Sequence, residues 1–172
     1  IVCPCSIFPI GSVPQNLSDN DGQPIEVGMK FRSAVDGYIT GIRFYKATDD
    51  TGTHIGNLWS STGSLLATVQ FTGESADGWQ QSNFTGPVSI TANTTYVISY
   101  HSSNNRYAST VGGLVSPTTT GNLTALADGT DGANGVYILS STSAFPTQSY
   151  QSSNYWVDVL FTQTSTSLTL TD

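Results

Sequence analysis

Apolar and polar residues alternate along most of the chain, which places every second side chain on the same face of an extended segment. In residues 26–32, for example, Val27, Met29 and Phe31 share one face. The same period-two pattern recurs in further short segments and predicts a strand in each. The segments are 26–32, 38–45, 55–59, 65–71, 79–84, 96–101, 136–139 and 155–161.

Turn-forming residues separate these segments, and none of them keeps the 3.6-residue repeat of an amphipathic helix. Residues 60–64 form a hairpin turn, and Asp-Gly pairs stand at 36–37 and 77–78. About eight or more short strands at this spacing are typical of two antiparallel sheets packed face to face. We therefore predict an all-β, antiparallel β-sandwich of the jelly-roll type, with most aromatic side chains in its core.

Two parts of the chain depart from the alternation. Residues 102–135 are rich in Ser, Asn, Thr and Gly, and loops of such length are usually functional or packed by their own side chains. Residues 163–172 are polar but alternate again at Leu168 and Leu170. We predict a sandwich module over residues 1–162 and a C-terminal extension or linker strand over residues 163–172.

Charge is sparse, since only 10% of the residues are charged against about a quarter in an average protein. The five basic residues are scattered, so no cationic stripe exists to neutralise phosphates, and we expect no nucleic-acid partner. No apolar segment approaches the roughly 20 residues that span a bilayer. Because the sequence begins at Ile1 without Met, we expect that a signal segment or upstream sequence has been removed. Ser, Thr, Asn and Gly take the place of charged residues, as is common in extracellular β-proteins, and we expect a secreted or cell-surface protein.

Cys3 and Cys5 are the two cysteines, and one residue separates them. Three arrangements are open: a disulfide between them, links to another chain, or free thiols. A disulfide across so short a loop contributes little through chain entropy. The pair is a poor zinc site, because structural zinc takes four ligands and the chain has only two histidines.

The sequence offers little to a catalytic mechanism. His54 and His101 are the two histidines, and no GxSxG motif supplies a nucleophile. Most acidic residues precede glycine or stand in turns, which fits turn formation better than a catalytic pair of carboxylates. We expect a non-enzymatic protein in which both histidines have structural or surface roles.

Calcium is the cofactor that the acidic residues favour, because hard cations bind about six to eight oxygens from carboxylates and loop carbonyls. Asp128 and Asp131 stand in the sequence DGTDGANG, whose glycines permit sharp turns. Asp21, Glu26 and Asp158 form a second candidate ligand set. Ordinary turns made by the acidic side chains are the alternative at each position.

Several motifs, in the order in which they occur, resemble one known family. They are EVGMKF at 26–31, GYITGIRFYK at 37–46, TGTHIGNLWS at 51–60, GWQQ at 78–81, NTTY at 93–96 and SNYWVDV at 153–159. From about residue 3 to residue 161 the chain is similar to the DUF4082 family, which recurs in large bacterial extracellular proteins beside immunoglobulin-like repeats and polysaccharide-active modules. The resemblance implies a secreted β-sandwich that serves as an accessory module, and it supplies no catalytic residues.

One functional hypothesis is a structural or adhesive role, in which a surface or fibre subunit assembles through its termini with copies of itself or with neighbouring modules. Leu168 and Leu170 lie on one side of an extended tail, the spacing of side chains that fill pockets during strand addition. Apolar residues near the N terminus would act with them. A contact between subunits at the termini would favour this hypothesis.

The alternative hypothesis is a carbohydrate-binding module, with or without calcium, in which exposed aromatic rings stack on sugars. Tyr107 and Tyr150 lie in polar, loop-like sequence, and we expect both side chains to be exposed. A groove with exposed aromatic side chains would favour this hypothesis.

Overall fold

The computed structural model describes residues 2–164, and within that range it contains thirteen strands and no helix. The described part therefore has no helix that could cross a membrane. The strands are β1 (Asn16–Asn20), β2 (Ile25–Ser33), β3 (Gly37–Lys46), β4 (His54–Ser60), β5 (Leu65–Gln70), β6 (Gly78–Ile90), β7 (Tyr96–Ser102), β8 (Arg106–Ser109), β9 (Thr118–Thr120), β10 (Leu123–Ala125), β11 (Val136–Leu139), β12 (Gln148–Ser149) and β13 (Val157–Thr162).

The named strands pair antiparallel in two sheets and one ribbon. The larger sheet has the order β12-β11-β2-β7-β4-β5, and β10, which also pairs with β9, shares the outer edge of β2 with β11. The smaller sheet has the order β13-β3-β6, and β1 pairs with β8 in the ribbon. The predicted antiparallel β-sandwich is confirmed.

Every segment that the alternation predicts as a strand contains one here, although the last strand begins at Val157 rather than at Tyr155, because Trp156 is in the left-handed region. The elements that the sequence did not predict are short: β1, β8, β9, β10 and β12. Three of them, β8, β9 and β10, lie in residues 102–135, which we expected to contain few strands. Because these strands have five residues or fewer, their sequences carry no period-two signal of useful length.

The core lies between the two sheets and is built from the alternating apolar positions. Val27, Met29 and Phe31 on β2 are fully buried, as predicted, and they belong to the same cluster as Phe44 on β3. The Phe44 ring stacks on Tyr100 of β7 with centroids 4.2 Å apart. Contacts of this kind between facing sheets supply most of the stability of a sandwich.

The N-terminal segment is fastened to the smaller sheet by Asp158 of β13. The Asp158 carboxylate, which is fully buried, accepts hydrogen bonds from the backbone N–H of Ile7 at 3.0 Å and of Phe8 at 2.9 Å. The Arg43 guanidinium contacts the same carboxylate at 2.8 Å, and it also donates to the Phe8 carbonyl. Cys5 adds two backbone hydrogen bonds to Phe161, each 2.8 Å long.

These contacts account for the order of the N-terminal segment within its own domain. Ile7 and Phe8 are buried in the sandwich, whereas Val2 and Ile10 of the same apolar segment are exposed, so assembly through the N-terminal segment stays a prediction. Cys3 and Cys5 form a disulfide with each other, the local arrangement among the three that the sequence left open.

We expect the Asp158→Ala substitution to lower the free energy of unfolding by about 3–5 kcal/mol, because a buried guanidinium and three backbone donors, those of Ile7, Phe8 and Val159, lose this carboxylate as acceptor. Urea unfolding measures the change. Asp77→Ala, at an exposed position, is the control and should change stability by no more than about 0.5 kcal/mol. Equal losses in the two variants would contradict a fastening role for Asp158.

Candidate functional site

A cleft of about 580 Å³ opens between the β1–β8 ribbon on one side and β11 with the segment before β13 on the other. Its volume lies in the range of sites that bind small ligands. Four tyrosines and two aspartates are among its walls, and we call it the tyrosine cleft. Its lining residues are Asn16, Asp19, Asp21, Tyr107, Ser109, Val111, Tyr137, Leu139, Tyr150, Ser153 and Tyr155.

The ribbon wall depends on an irregular register. Asp19 lies opposite Tyr107 and Asn16 lies opposite Ser109, and the register shifts between Asn16 and Asp19. Residues opposite each other across an antiparallel pair share a face, whereas residues three apart on a regular strand do not. The shift therefore brings Asn16 and Asp19 to the same side, where both line the cleft.

Hydroxyl groups hold the two carboxylates in place. Tyr107 donates its phenolic hydrogen to Asp21 Oδ2 at 3.0 Å, and the Ser109 hydroxyl donates to Asp19 Oδ2. The ring of Tyr107 meets the ring of Tyr155 edge to face, with centroids 5.6 Å apart. These contacts fix the base of the cleft without any ligand.

The phenols at this base stay protonated at neutral pH. Burial is the largest cause that raises the pKa of Tyr107 and of Tyr155, and the charges of Asp21 and Asp19 raise both further. A phenol in this state acts as a hydrogen-bond donor and acceptor rather than as a base.

The opposite wall contains backbone strain. Gln151 (φ 46°), Ser152 (φ 50°) and Trp156 (φ 59°) are all in the left-handed region although none is glycine. Such residues cost on the order of 1–3 kcal/mol each, and they cluster at binding sites, where the strain positions other groups. Here they lie beside Tyr150, Ser153 and Tyr155, which reach the cleft.

Gly135 lets the chain approach this strained segment. Its φ is 79°, and a Cβ at this position would lie 2.4 Å from the Ser153 carbonyl oxygen. Any side chain would push Ser153 away from β11, which begins at the next residue. The position of one wall of the cleft therefore depends on this glycine.

Backbone hydrogen bonds join the walls at one end of the cleft, among them those from Gly112 N–H to the Gln151 carbonyl and from Leu114 N–H to the Ser152 carbonyl. Thr110 and Asn154 exchange N–H···O bonds in both directions, each 2.9 Å long. The indole N–H of Trp156 donates to the Thr110 hydroxyl at 3.0 Å. We call the contact between Thr110 and residues 154–156 the seam.

A second groove, of about 460 Å³, lies on the outer face of the larger sheet. No Phe, Tyr or Trp lines it. Its lining residues are Thr53, Ile55, Asn57, Leu65, Thr68, His101, Ser103, Ser141, Thr142 and Ser143. Its buried polar groups are already paired, since Asn57 bonds to Thr68 and Ser143, and His101 Nε2 lies 2.8 Å from the Ser140 carbonyl oxygen. The groove therefore offers a ligand hydroxyl groups of Ser and Thr, but it lacks the tyrosine rings of the tyrosine cleft.

Beside this groove, Glu26 is fully buried in a polar network. It accepts hydrogen bonds from Ser99 Oγ at 2.6 Å and from Asn57 Nδ2 at 2.9 Å. Burial raises the pKa of Glu26 to about 7, although the hydrogen bonds from Ser99 and Asn57 oppose the shift. The network fastens the outer face of the larger sheet.

His54 is also buried, between two carboxylates. Its Nε2 lies 2.7 Å from Asp50 Oδ2, and its Nδ1 lies 2.9 Å from Glu74 Oε1. Lys46 Nζ contacts the same Glu74 oxygen at 3.3 Å. Burial lowers the pKa of His54, but Asp50 and Glu74 outweigh burial and raise it above its ordinary value. The cluster joins the loops at one end of the sandwich.

Comparison with known protein families assigns the chain to one family. The model of a family described as a domain of unknown function, DUF4082, matches residues 11–157. The chain belongs to this family. All residues of the tyrosine cleft lie inside the matched range of the DUF4082 domain, and Asp158 lies just outside it. No curated protein matches the chain.

The DUF4082 domain brings together three of the residues that the sequence singled out: Tyr107, Tyr150 and Asp21 all line the cleft. Tyr150 is 52% exposed, as expected. The expectation that Tyr107 is exposed was wrong, because the residue is only 7% exposed. Its place in β8 explains the difference, since the side chain points into the cleft and packs on Tyr155.

The other candidate metal ligands are not gathered around one point. Glu26 belongs to the network on the outer sheet face and Asp158 to the Arg43 contact, whereas Asp21 bonds to Tyr107. Within residues 2–164, no three Asp, Glu, His or Cys side chains are grouped as ligands for a metal ion. Calcium binding stays a prediction.

The loop that carries Asp128 and Asp131 is held by its own hydrogen bonds. Asp128 accepts from the backbone N–H of Asn134 at 2.7 Å and from the Ser152 hydroxyl at 2.8 Å. Asp131 contacts Arg32 at 3.5 Å. Through Ser152, this loop supports the strained wall of the cleft.

Leu168 and Leu170 lie outside the described residues. Assembly through the C-terminal extension therefore stays a prediction, as does a division of the chain at residue 162.

Besides Asp21, Tyr107 and Tyr150, eight residues line the cleft that the sequence does not place among the site residues, and Asn16, Asp19, Tyr137 and Tyr155 are four of them. Tyr137 and Tyr155 stood in predicted strands and were assigned to the core, and Asn16 and Asp19 preceded the first predicted strand. One signal was present in the segment Val136-Tyr137-Ile138-Leu139, which is apolar on both faces. A strand of this kind is either covered or binds something on its second face.

Glu26 yields a prediction about pH. Because its folded pKa of about 7 exceeds its ordinary value of 4.5, Glu26 contributes stability that is complete below pH 4.5 and lost as the pH rises through about 7. The Glu26→Gln variant should lack this loss, so that its urea unfolding free energy falls less between these two pH values than that of the native chain.

His54 supplies an internal control for that experiment. Its pKa is raised from 6.5, so its own stabilisation is lost at higher pH, and the Glu26→Gln variant should keep that later loss. Parallel pH curves for the native chain and the variant would contradict the account of Glu26.

Proposed function

We propose that this DUF4082 domain is a non-catalytic, extracellular accessory module that binds a glycan in the tyrosine cleft. The observation that carries the proposal is the convergence of four tyrosines, two carboxylates and several smaller polar groups on one cleft of about 580 Å³.

The chemistry of the walls supports a sugar ligand. A pyranose ring has apolar C–H faces and a rim of hydroxyl groups that both donate and accept hydrogen bonds. Tyr150, which is half exposed, and Val111 and Leu139, which are 45% and 38% exposed, offer apolar surface to such a ring. Asn16 and Asp19, on the ribbon wall, offer polar groups to its hydroxyls.

The rigidity of the cleft supports binding without a large ordering cost. Hydroxyl groups of the protein hold Asp19 and Asp21. The strained segment 151–156 is held by the seam and by the hydrogen bond from Ser152 to Asp128. A site that is ordered before the ligand arrives loses less entropy on binding.

A non-catalytic role is supported by the groups that would have to react. Tyr107 and Tyr155 have pKa values raised by burial, so neither is available as a base at neutral pH. Both aspartates are engaged by hydroxyl donors through one oxygen.

An accessory role in adhesion follows from such a site, because a module of this kind holds a larger protein on a glycan surface. The proposed extracellular location agrees with the disulfide between Cys3 and Cys5, since disulfides persist in oxidising compartments.

The Tyr150→Ala substitution should weaken binding to the best ligand of an immobilised glycan panel by about tenfold or more, because it removes the most exposed ring of the cleft. Titration calorimetry with that glycan measures the change. The matched control is Tyr38→Ala, which removes a half-buried tyrosine of the smaller sheet outside the cleft and should leave affinity unchanged. Equal losses in both variants, or a native chain that binds no member of the panel, would contradict the proposal.

A further inference from the structure

The tyrosine cleft carries negative charge that the protein does not neutralise. Asp19 and Asp21 line it, and no lysine, arginine or histidine does. Four of the five basic side chains contact polar groups elsewhere: Lys30, Arg32, Arg43 and Lys46. The fifth, Arg106, lies opposite Asn20 in the ribbon. Both are next to residues that line the cleft, so alternation along the strands places them on the other face of the ribbon.

Each carboxylate also keeps an oxygen free for a ligand. Tyr107 and Ser109 donate to the Oδ2 atoms of Asp21 and Asp19. Among the described residues, no hydrogen bond reaches either Oδ1 atom. A charged carboxylate oxygen without a donor is an unfulfilled acceptor, and a cationic N–H group is its strongest partner.

We infer that the tyrosine cleft selects glycans whose sugars carry unsubstituted, protonated amino groups, with Asp19 and Asp21 receiving an ammonium group. The inference rests on the proposed glycan-binding function and narrows its ligand class. An uncharged sugar would leave the negative charges of the two carboxylates without a cationic partner. An anionic sugar would be repelled by them.

The tyrosine rings fit the same ligand class. An ammonium group is attracted to the face of an aromatic ring, and sites that recognise organic ammonium ions commonly enclose them with several aromatic side chains. Four tyrosines line the same cleft as the two carboxylates, and one of them, Tyr107, contacts Asp21 directly. An aminated sugar joins both kinds of contact in one molecule, since its ring packs on tyrosine and its ammonium group faces the carboxylates.

The test compares two oligosaccharides of the same length and linkage: a glucosamine oligomer and its fully N-acetylated counterpart. We expect the native chain to bind the glucosamine oligomer about tenfold or more tightly, the scale of one charge-assisted hydrogen bond. The Asp19→Asn/Asp21→Asn variant, in which the amide oxygens still accept from Tyr107 and Ser109, should lose this preference. Added EDTA should not change binding, and unchanged thermal unfolding of the variant confirms that it folds.

The matched control separates the cleft from the negative charge of the whole chain. Asp49→Asn/Asp77→Asn removes the same charge at two exposed positions outside the cleft, and it should keep the preference for the aminated oligomer. An equal loss in this control would overturn the inference, because the attraction would then come from net charge.

The remaining outcomes distinguish selectivity for amino groups from the proposed glycan binding. Equal affinity for both oligomers, abolished by Tyr150→Ala, would overturn the selectivity and leave glycan binding intact. Failure to bind any glycan would overturn both. Binding that requires calcium would show that a metal ion occupies the carboxylates, and an oligolysine peptide that binds in place of the sugar would identify a cationic peptide as the ligand. Either result would overturn the inference.

Discussion

The seam between Thr110 and residues 154–156 is the contact on which the candidate site depends. The ribbon β1–β8 belongs to neither sheet, so hydrogen bonding within a sheet does not fix its position. The reciprocal bonds between Thr110 and Asn154 attach it to the chain just before β13, and Tyr45 extends the attachment by donating its backbone N–H to the Trp156 carbonyl at 2.9 Å. The cleft is the space that remains between the ribbon and β11 once this attachment is made.

Charged residues are few in this chain, and several of them have a structural role. Several of the few ionisable side chains are buried and fasten segments together, as Asp158 and Arg43 do for the N-terminal segment and Glu26 does for the outer sheet face. A buried charge must be paired or hydrogen-bonded, because desolvation is otherwise too costly. Asp19 and Asp21 differ from these groups, since they line an open cleft and hydroxyl groups are their only described side-chain donors.

The fold could be predicted because burial between two sheets imposes a period of two on long strands. Val27, Met29 and Phe31 showed that period, and the strand and core position assigned to each were confirmed. The site was only partly predictable. Tyr150 and Asp21 were recognisable in loop-like sequence, but the grouping of Asp19 with Tyr107 depends on a register shift in a five-residue strand. No local pattern encodes such a shift, because it is set by the strand's partner. The left-handed backbone of Gln151 and Ser152 is also invisible in the sequence, since neither residue favours it.

Chemical-shift mapping by NMR during titration with a glucosamine oligomer tests the central claim most directly. The account predicts that the backbone amides which shift belong to residues of both walls, above all Asp19, Tyr107 and Ser153. The amides at the opposite end of the larger sheet, around Ser60 and Tyr96, should stay unchanged. Shifts confined to the groove that contains Asn57 and Ser143, or saturable binding that leaves the ribbon amides unmoved, would show that the ligand site lies elsewhere.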